Sequence, residues 1–173
     1  SAAYRSSQTA RNLVVALLVT LAVVVVVILG VPRGEPAPRS DLDVAAIAED
    51  ASGDAGRELL VPEVPSTWIV NGASLENGTP AVWTVVLSPP ESAYIRIAQA
   101  IDTDDTWAAQ LLNGSAPTAT LTIDGIRWDV YEPRDPAAAG NVSYALGTQA
   151  GADHILLYGT TSPDTTKTIA ESL

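Results

Sequence analysis

Several residue types are absent from this sequence, and their absence limits its chemistry. The 173 residues include no cysteine, no phenylalanine and no methionine, and His154 is the single histidine. Without cysteine there can be no disulfide, thiolate zinc site, iron–sulfur cluster or covalently attached haem. A single histidine also rules out a two-histidine metal site or haem ligand pair. We therefore expect no cofactor.

Basic residues are scarce. Nine Lys and Arg face twenty Asp and Glu, which gives a net charge of −11. Three of the basic residues lie within the first 33 positions, so the remainder carries six basic and twenty acidic groups, a net of −14. A surface this acidic repels phosphate backbones, so we expect no nucleic acid partner. Such acidity is more typical of solubility than of a dedicated cationic ligand.

Polar residues are nearly missing from one long stretch. From Leu13 to Leu29 the sequence reads LVVALLVTLAVVVVVIL, in which Thr20 is the only polar residue. With the next two residues the stretch spans roughly 28 Å as a helix, close to the thickness of a hydrocarbon core. A buried core helix rarely runs so far without a polar face, and no signal-peptidase site of the A-x-A type follows. We predict a transmembrane helix over 12–31.

The flanks of this helix predict its orientation. Residues 1–11 contain Arg5 and Arg11 and no acidic residue, whereas the other flank mixes both signs. Counted by Lys and Arg alone, as the positive-inside rule requires, the two flanks nearly tie, since Arg33 and Arg39 follow the helix. The free α-amino group favours the first flank, so we expect a cytoplasmic N-terminus in the cell membrane. A proline-rich linker over 32–40 reaches about 30 Å at most. It leads to an extracytoplasmic domain over 41–173.

The domain reads as a succession of strands with few helices. Alternating or β-branched runs predict about seven strands, near 68–75, 81–87, 94–101, 118–123, 126–132, 142–146 and 154–159. Asp124-Gly125 between the fourth and fifth is the strongest hairpin signal. Helices are predicted near 44–51, 104–112 and 163–173. The fold class expected is α+β: an antiparallel sheet covered by helices on at least one face.

Several segments of the domain resemble a known group of proteins. The segments are LVPEVPSTW, NGASL, VWTVVLSPPESAYIRIAQ, DTWAAQLL and TIDGIRWDVYE. They resemble an actinobacterial family of membrane-anchored extracytoplasmic domains of unknown function. The resemblance implies one N-terminal helix and an outer domain, and it carries no catalytic signature. A more distant likeness, at Pro65 to Val70, is to the PsbP type of α/β sandwich.

Candidate chemistry in the domain is sparse. Asp153 precedes His154, but nothing resembles a G-x-S-x-G nucleophile turn, so we expect no enzyme. A calcium site is an alternative reading of one acidic cluster, but that cluster lacks the glycine and distal glutamate of a loop site and suits a helix N-terminus. Its residues are Asp102, Asp104 and Asp105 with Thr103 and Asn113. The four tryptophans are expected to pack in the core. No metal site is predicted.

The transmembrane segment itself carries one pattern. At about 100° per residue, its small and hydroxyl-bearing residues fall within about 80° of one another, away from the leucines. Such a stripe is what a helix uses to pack closely on another helix in lipid, although lipid-facing helices also contain these residues by chance. We name this stripe the helix-docking face: Asn12, Ala16, Thr20, Val23 and Gly30.

These observations favour a structural role. The first hypothesis is a non-catalytic, single-pass accessory subunit of a larger integral membrane protein complex, first among them the actinobacterial cytochrome bcc–aa3 respiratory supercomplex. The alternative is a membrane-anchored, extracytoplasmic ligand- or lipid-binding domain. A deep pocket would favour the alternative, and a flat outer patch would favour the accessory subunit.

Overall fold

The computed structural model describes residues 42–91 and 93–173, together with Val15, Leu17 and Thr20. Within this described part of the chain, no helix is long and apolar enough to cross a membrane. The predicted segments 1–11, 12–31 and 32–40 lie outside the described residues, apart from those three helical positions. Of the helix-docking face only Thr20 is described; Asn12, Ala16, Val23 and Gly30 are not.

Residues 38–173 form one compact unit. Its strands are β1 (Ile69–Glu76), β2 (Val82–Ser88), β3 (Ile95–Ala100), β4 (Ala119–Ile123), β5 (Ile126–Tyr131), β6 (Tyr144–Ala150) and β7 (Asp153–Gly159). Its described helices are α1 (Val44–Ala55), α2 (Asp105–Leu111) and α3 (Pro163–Ala170). The predicted seven strands and three helices are confirmed, with boundaries that shift by a few residues.

Two of the boundary shifts can be explained by particular residues. We expected Gly53 and Gly56 to stop the first helix, but it continues through Gly53 to Ala55. It ends at Gly56, whose φ of 67° lies in the left-handed region that glycine adopts without steric cost. The sixth strand extends to Ala150, past the predicted end at 146, because the cross-strand pairs with β7 continue to Asp153.

The strands form one sheet in the order β1-β2-β3-β7-β6-β5-β4, and every neighbouring pair is antiparallel. The last strand of the chain therefore lies at the centre, between β3 and β6. At the Asp124-Gly125 turn both residues have positive φ, 49° and 82°, as the predicted two-residue hairpin requires. The α+β class with an antiparallel sheet is confirmed.

The sheet has two unlike faces. We call one of them the closed face. It is apolar across the strands that run from β2 to β5 in sheet order, and α1 and α3 cover its two sides. Its buried strand residues include Trp83, Val85, Leu87, Ile97, Leu146, Leu157 and Trp128. The opposite face, here the open face, is covered by α2 over β6 and β7, with Ala108 and Leu112 buried against Leu156 and Ala145. Helices thus cover part of both faces, where the sequence predicted at least one.

Candidate functional site

An ion-pair network lies where the chain after α1 meets the ends of the central strands β3 and β7. Arg57 comes just after α1 in the chain. Its guanidinium donates to both carboxylate oxygens of Asp102, at 3.0 and 2.9 Å, and to the Asp153 carboxylate. The Asp153 side chain is only 8% exposed, so its charge is largely removed from water. A buried carboxylate needs such a partner, because an unpaired one would carry a large desolvation cost.

Gln99 completes this network from β3. Its side-chain amide donates to the second oxygen of Asp153 at 2.8 Å, and its carbonyl accepts from the backbone N–H of Leu60 at 2.9 Å. The backbone N–H of Asp102 donates to Asp153 at 3.1 Å. The Asp153 carboxylate therefore accepts from three different groups. The network fixes the chain that follows α1 onto β3 and β7.

His154 lies on the other side of the same strand. Consecutive strand residues point to opposite faces, so His154 belongs to the open face while Asp153 meets Gln99 and Arg57. The imidazole is 1% exposed, and its Nδ1 lies 3.3 Å from the side-chain oxygen of Gln149. Burial lowers the pKa of His154, against smaller opposite effects of Asp105, Asp129 and Asp104. The pair Asp153–His154 therefore does not act as one catalytic unit.

A second buried polar group adjoins the imidazole. Neither the His154 Nε2 nor the Tyr131 hydroxyl has a hydrogen-bond partner, although both are buried. A Cβ added at Gly147 would meet His154 Nε2 at 2.9 Å and Tyr131 Cε2 at 3.1 Å, so glycine is needed there. Burial raises the pKa of Tyr131 to about 12, and the Asp129 and Asp105 carboxylates act in the same direction.

Trp107 of α2 covers the imidazole from outside. The two ring centroids are 6.3 Å apart, edge to face, at 63°. The half-buried Trp107 also lines a surface cleft of about 490 Å³ between the β1–β2 turn and α2. The cleft is lined by Gly78, Thr79, Pro80, Ala81, Ile101, Asp102, Thr103, Thr106, Trp107 and Gln110. A second cleft, of about 480 Å³, lies beside Arg134 at the far end of α2.

The structure separates the acidic residues considered for calcium. Asp102 faces Arg57, and Asp104 caps α2 by accepting from the backbone N–H and the hydroxyl of Thr106. That hydroxyl is the main reason why the pKa of Asp104 lies below its ordinary value. Across the described residues, no group of histidine and carboxylate side chains is placed to hold a metal ion. Asp104 therefore has the position at the start of a helix that the sequence predicted for it.

The tryptophans divide into two groups. Trp83 and Trp128 are buried on the closed face, as predicted, while Trp68 and Trp107 are only half-buried. The sequence reasoning did not single out Arg57, Gln99, Gln149 or Tyr131. Arg57 offered one signal, since it is the only basic residue between Arg39 and Arg96. The others gave none, because their partners are remote in the sequence.

The order of the strands and the placement of the helices define an α+β domain built on one seven-stranded antiparallel sheet. A family model described as "Protein of unknown function (DUF4245)" matches residues 5–173, and the chain belongs to that family. No curated protein and no solved structure matches the chain.

Proposed function

We propose that this chain is a non-catalytic, single-pass accessory subunit of a larger membrane complex. In this proposal the apolar segment 12–31 spans the cell membrane, and the domain binds an outer surface of the partner complex. The observation that carries the proposal is the uncovered part of the open face over β1 and β2.

That surface is weakly charged and partly apolar. Thr84 and Val86 are half-buried there, whereas Trp83 and Val85 on the same strand are fully buried on the closed face. Val82, on the same side of β2 as Thr84, packs against the cluster beneath α2. The neighbouring open-face positions on β1 are the small residues Gly72 and Ser74, followed by Glu76. A side of a strand that the domain does not cover itself is a site where a second protein can pack.

Charge sets this surface apart from the rest of the domain. Residues 42–173 carry five basic and eighteen acidic side chains, a net of −13. On the strands of the open face beside α2, Arg96 stacks on Tyr94 and Tyr158, with its guanidinium carbon 5.6 and 5.9 Å from the two ring centroids. An interface core is depleted in charge and enriched in aromatic residues and arginine. The group of Arg96, Tyr94 and Tyr158, which lies beside the uncovered surface on the same face, has that composition.

The proposed occupant is an extracytoplasmic part of an integral membrane protein. The sequence expectation of a nine-residue, proline-rich linker of about 30 Å at most would keep the domain within reach of proteins in the same membrane. The resemblance to an actinobacterial membrane-anchored family makes the cytochrome bcc–aa3 respiratory supercomplex the first complex to test. That choice rests on type of protein and on no contact in the structure.

The placement of the ionisable residues supports a non-catalytic role. Arg57, Asp102 and Asp153 bind one another, and Asp104 caps a helix. His154 is buried under Trp107 on the far side of the strand from Asp153. General acid–base work needs such groups to converge on a space that a substrate can enter.

A second candidate function rests on the cleft beside Trp107. A volume of about 490 Å³ falls within the range of small-molecule sites. This favours the alternative of a membrane-anchored ligand- or lipid-binding domain, to which the PsbP-type likeness also belongs. The accessory role ranks first because the cleft opens on the surface and lacks a mostly apolar lining.

A matched pair of variants tests the proposal. Tagged full-length chain, extracted in mild detergent, should retain one membrane complex reproducibly. Thr84→Arg places a cation on the open face and should reduce the retained complex by at least about tenfold, since one misplaced charge in an interface costs on the order of 1.4 kcal/mol or more. Thr168→Arg makes the same change at an exposed position of α3 and should retain it.

Three other results would count against the proposal. Equal retention by both arginine variants would remove the open face from consideration. A reporter fused after Leu173 that works only in the cytoplasm would place the domain on the wrong side of the membrane. A lipid or small molecule that co-purifies in stoichiometric amount, without any protein, would favour the ligand-binding alternative.

A further inference from the structure

We propose that His154 is a pH-dependent switch that controls the position of α2. While the imidazole is neutral, α2 covers its part of the open face; when the imidazole is protonated, α2 moves away from the sheet. The inference does not depend on the proposed function. It rests on where the imidazole lies, which of its nitrogens carries hydrogen, and what covers it.

The hydrogen-bond network fixes the tautomer of His154. The side-chain amide nitrogen of Gln149 donates to the carbonyls of Thr103 and Gly151, at 2.9 and 3.3 Å. The Gln149 oxygen therefore faces His154 Nδ1 as an acceptor, at 3.3 Å. Nδ1 must carry the hydrogen and donate it. In the neutral imidazole, Nε2 is then the unprotonated nitrogen.

A proton added at Nε2 would meet no hydrogen bond that is already in place. Nε2 is buried and unpartnered, and a Cβ added at Gly147 would lie 2.9 Å from it and 3.1 Å from Tyr131 Cε2. The Tyr131 hydroxyl is unpartnered as well, so no existing hydrogen bond must break before the imidazole is protonated. A buried imidazolium carries the desolvation cost of a charge. It also carries the cost of an unmade hydrogen bond for as long as the Tyr131 hydroxyl does not turn to accept from it.

Charged groups face His154 from two elements. The carboxylates of Asp104 and Asp105, at the start of α2, favour the imidazolium, as does Asp129 on β5. The Asp129 carboxylate lies 3.5 Å from the Arg127 guanidinium, which weakens its influence. The flanking strands present Ala98 and Ala100 from β3, and Gly147 and Gln149 from β6, none of them ionisable.

Burial outweighs these carboxylates, so the folded protein binds the proton more weakly than the unfolded chain does. The pKa of His154 lies below the ordinary value of 6.5. For a depressed histidine pKa, the stability contribution is complete above the unfolded value and is lost as the pH falls through about 6.5 towards the folded value. Lowering the pH through this range therefore destabilises the folded state in which α2 covers His154.

The element that yields to this destabilisation is α2. His154 sits in the central strand β7 between β3 and β6, and moving it would break two strand pairings. Its outer cover is Trp107 on the seven-residue α2, which buries Ala108 and is followed by the buried Leu112. Displacing this short helix admits water to Nε2 at the lowest cost. It would also reshape the cleft that Trp107 lines.

Because His154 is the only histidine, its titration can be followed directly. The experiment uses the full chain in mild detergent, labelled with ¹³C in the histidine ring, from pH 7.5 to pH 4.5. We expect a midpoint below 6.5. Over the same range, hydrogen exchange at 104–112, corrected for intrinsic chemistry, should rise at least about tenfold more than exchange in β3 and β7.

A variant isolates the imidazole as the cause. His154→Gln cannot be protonated and should remove the pH dependence of exchange at 104–112. A titration midpoint of His154 at or above 6.5 would overturn the proposal. An equal rise in hydrogen exchange across α2 and the central strands would overturn it as well. If His154→Gln does not fold, these two measurements on the unaltered chain still decide the question.

Discussion

The two sides of strand β2 show how differently this domain treats its two faces. Val85 points to the closed face and is completely buried, while the next residue, Val86, points to the open face and is half-exposed. Helices α1 and α3 complete the first side. The second side is left incomplete over β1 and β2. Under the proposed function, this uncovered part is the surface that a partner would cover.

Buried polar atoms without hydrogen-bond partners occur on both sides of the sheet. On the closed face the Trp83 indole donates to the carbonyl of Leu60 at 2.8 Å, although that of Trp128 has no partner. On the open face both His154 Nε2 and the Tyr131 hydroxyl are buried without partners, side by side under α2. Arg57 Nε, beside Asp153, is a further buried atom without a partner, so such atoms are not confined to the side that α2 covers. Each of them lowers stability where it lies.

The largest effect is expected at a glycine of the closed face. A Cβ at Gly159 would lie 2.1 Å from the carbonyl oxygen of Tyr94 and 3.0 Å from the Ile95 Cα, both backbone atoms that cannot swing aside. Gly159→Ala should therefore lower the free energy of unfolding of the 38–173 fragment by about 3 kcal/mol or more. Urea denaturation measures it.

The control for this change lies on the open face. At Gly72 an added Cβ meets nothing within 4 Å. Gly72→Ala should change the same free energy by less than about 0.5 kcal/mol. Comparable losses at Gly72 and Gly159 would mean that the two faces do not differ as described.

The second prediction uses the neighbouring valines of β2. Val85→Ala removes two buried methyl groups and leaves a cavity, which should cost about 2 kcal/mol. Val86→Ala is the same change one residue further on and should cost less than about 1 kcal/mol in the isolated fragment. A larger loss at Val86 than at Val85 would reverse the assignment of the faces.

The smallest effect compares two tyrosine hydroxyls. Tyr94 donates to the carbonyls of Gly140 and Asn141, at 3.1 and 3.3 Å, so Tyr94→Phe should cost about 1 kcal/mol. The Tyr131 hydroxyl has no partner to lose. Tyr131→Phe should leave the free energy of unfolding unchanged or raise it by up to about 1 kcal/mol. A clear loss from Tyr131→Phe would indicate a partner for that hydroxyl.

Local pattern was enough to predict most of the elements. The alternation around Asp124-Gly125 predicted the β4–β5 hairpin, and the dihedral angles at both residues agree with it. The acidic residues at 104–105 predicted a helix start, which Asp104 caps. These signals work because turns, caps and side-chain periodicity depend on residues within a few positions of one another. The helix-docking face over 12–30 stays a prediction.

What the sequence by itself determined is therefore the set of elements, the α+β class, the acidic surface and a family membership that covers 5–173. Only the tertiary structure decided which residues meet. Arg57 reaches Asp153 across 96 positions, and β7 enters the sheet between β3 and β6. The same structure separated Asp153 from His154, which are adjacent in the chain. Alternation along a strand says that two neighbours part, but only the assembled sheet shows what each of them then faces.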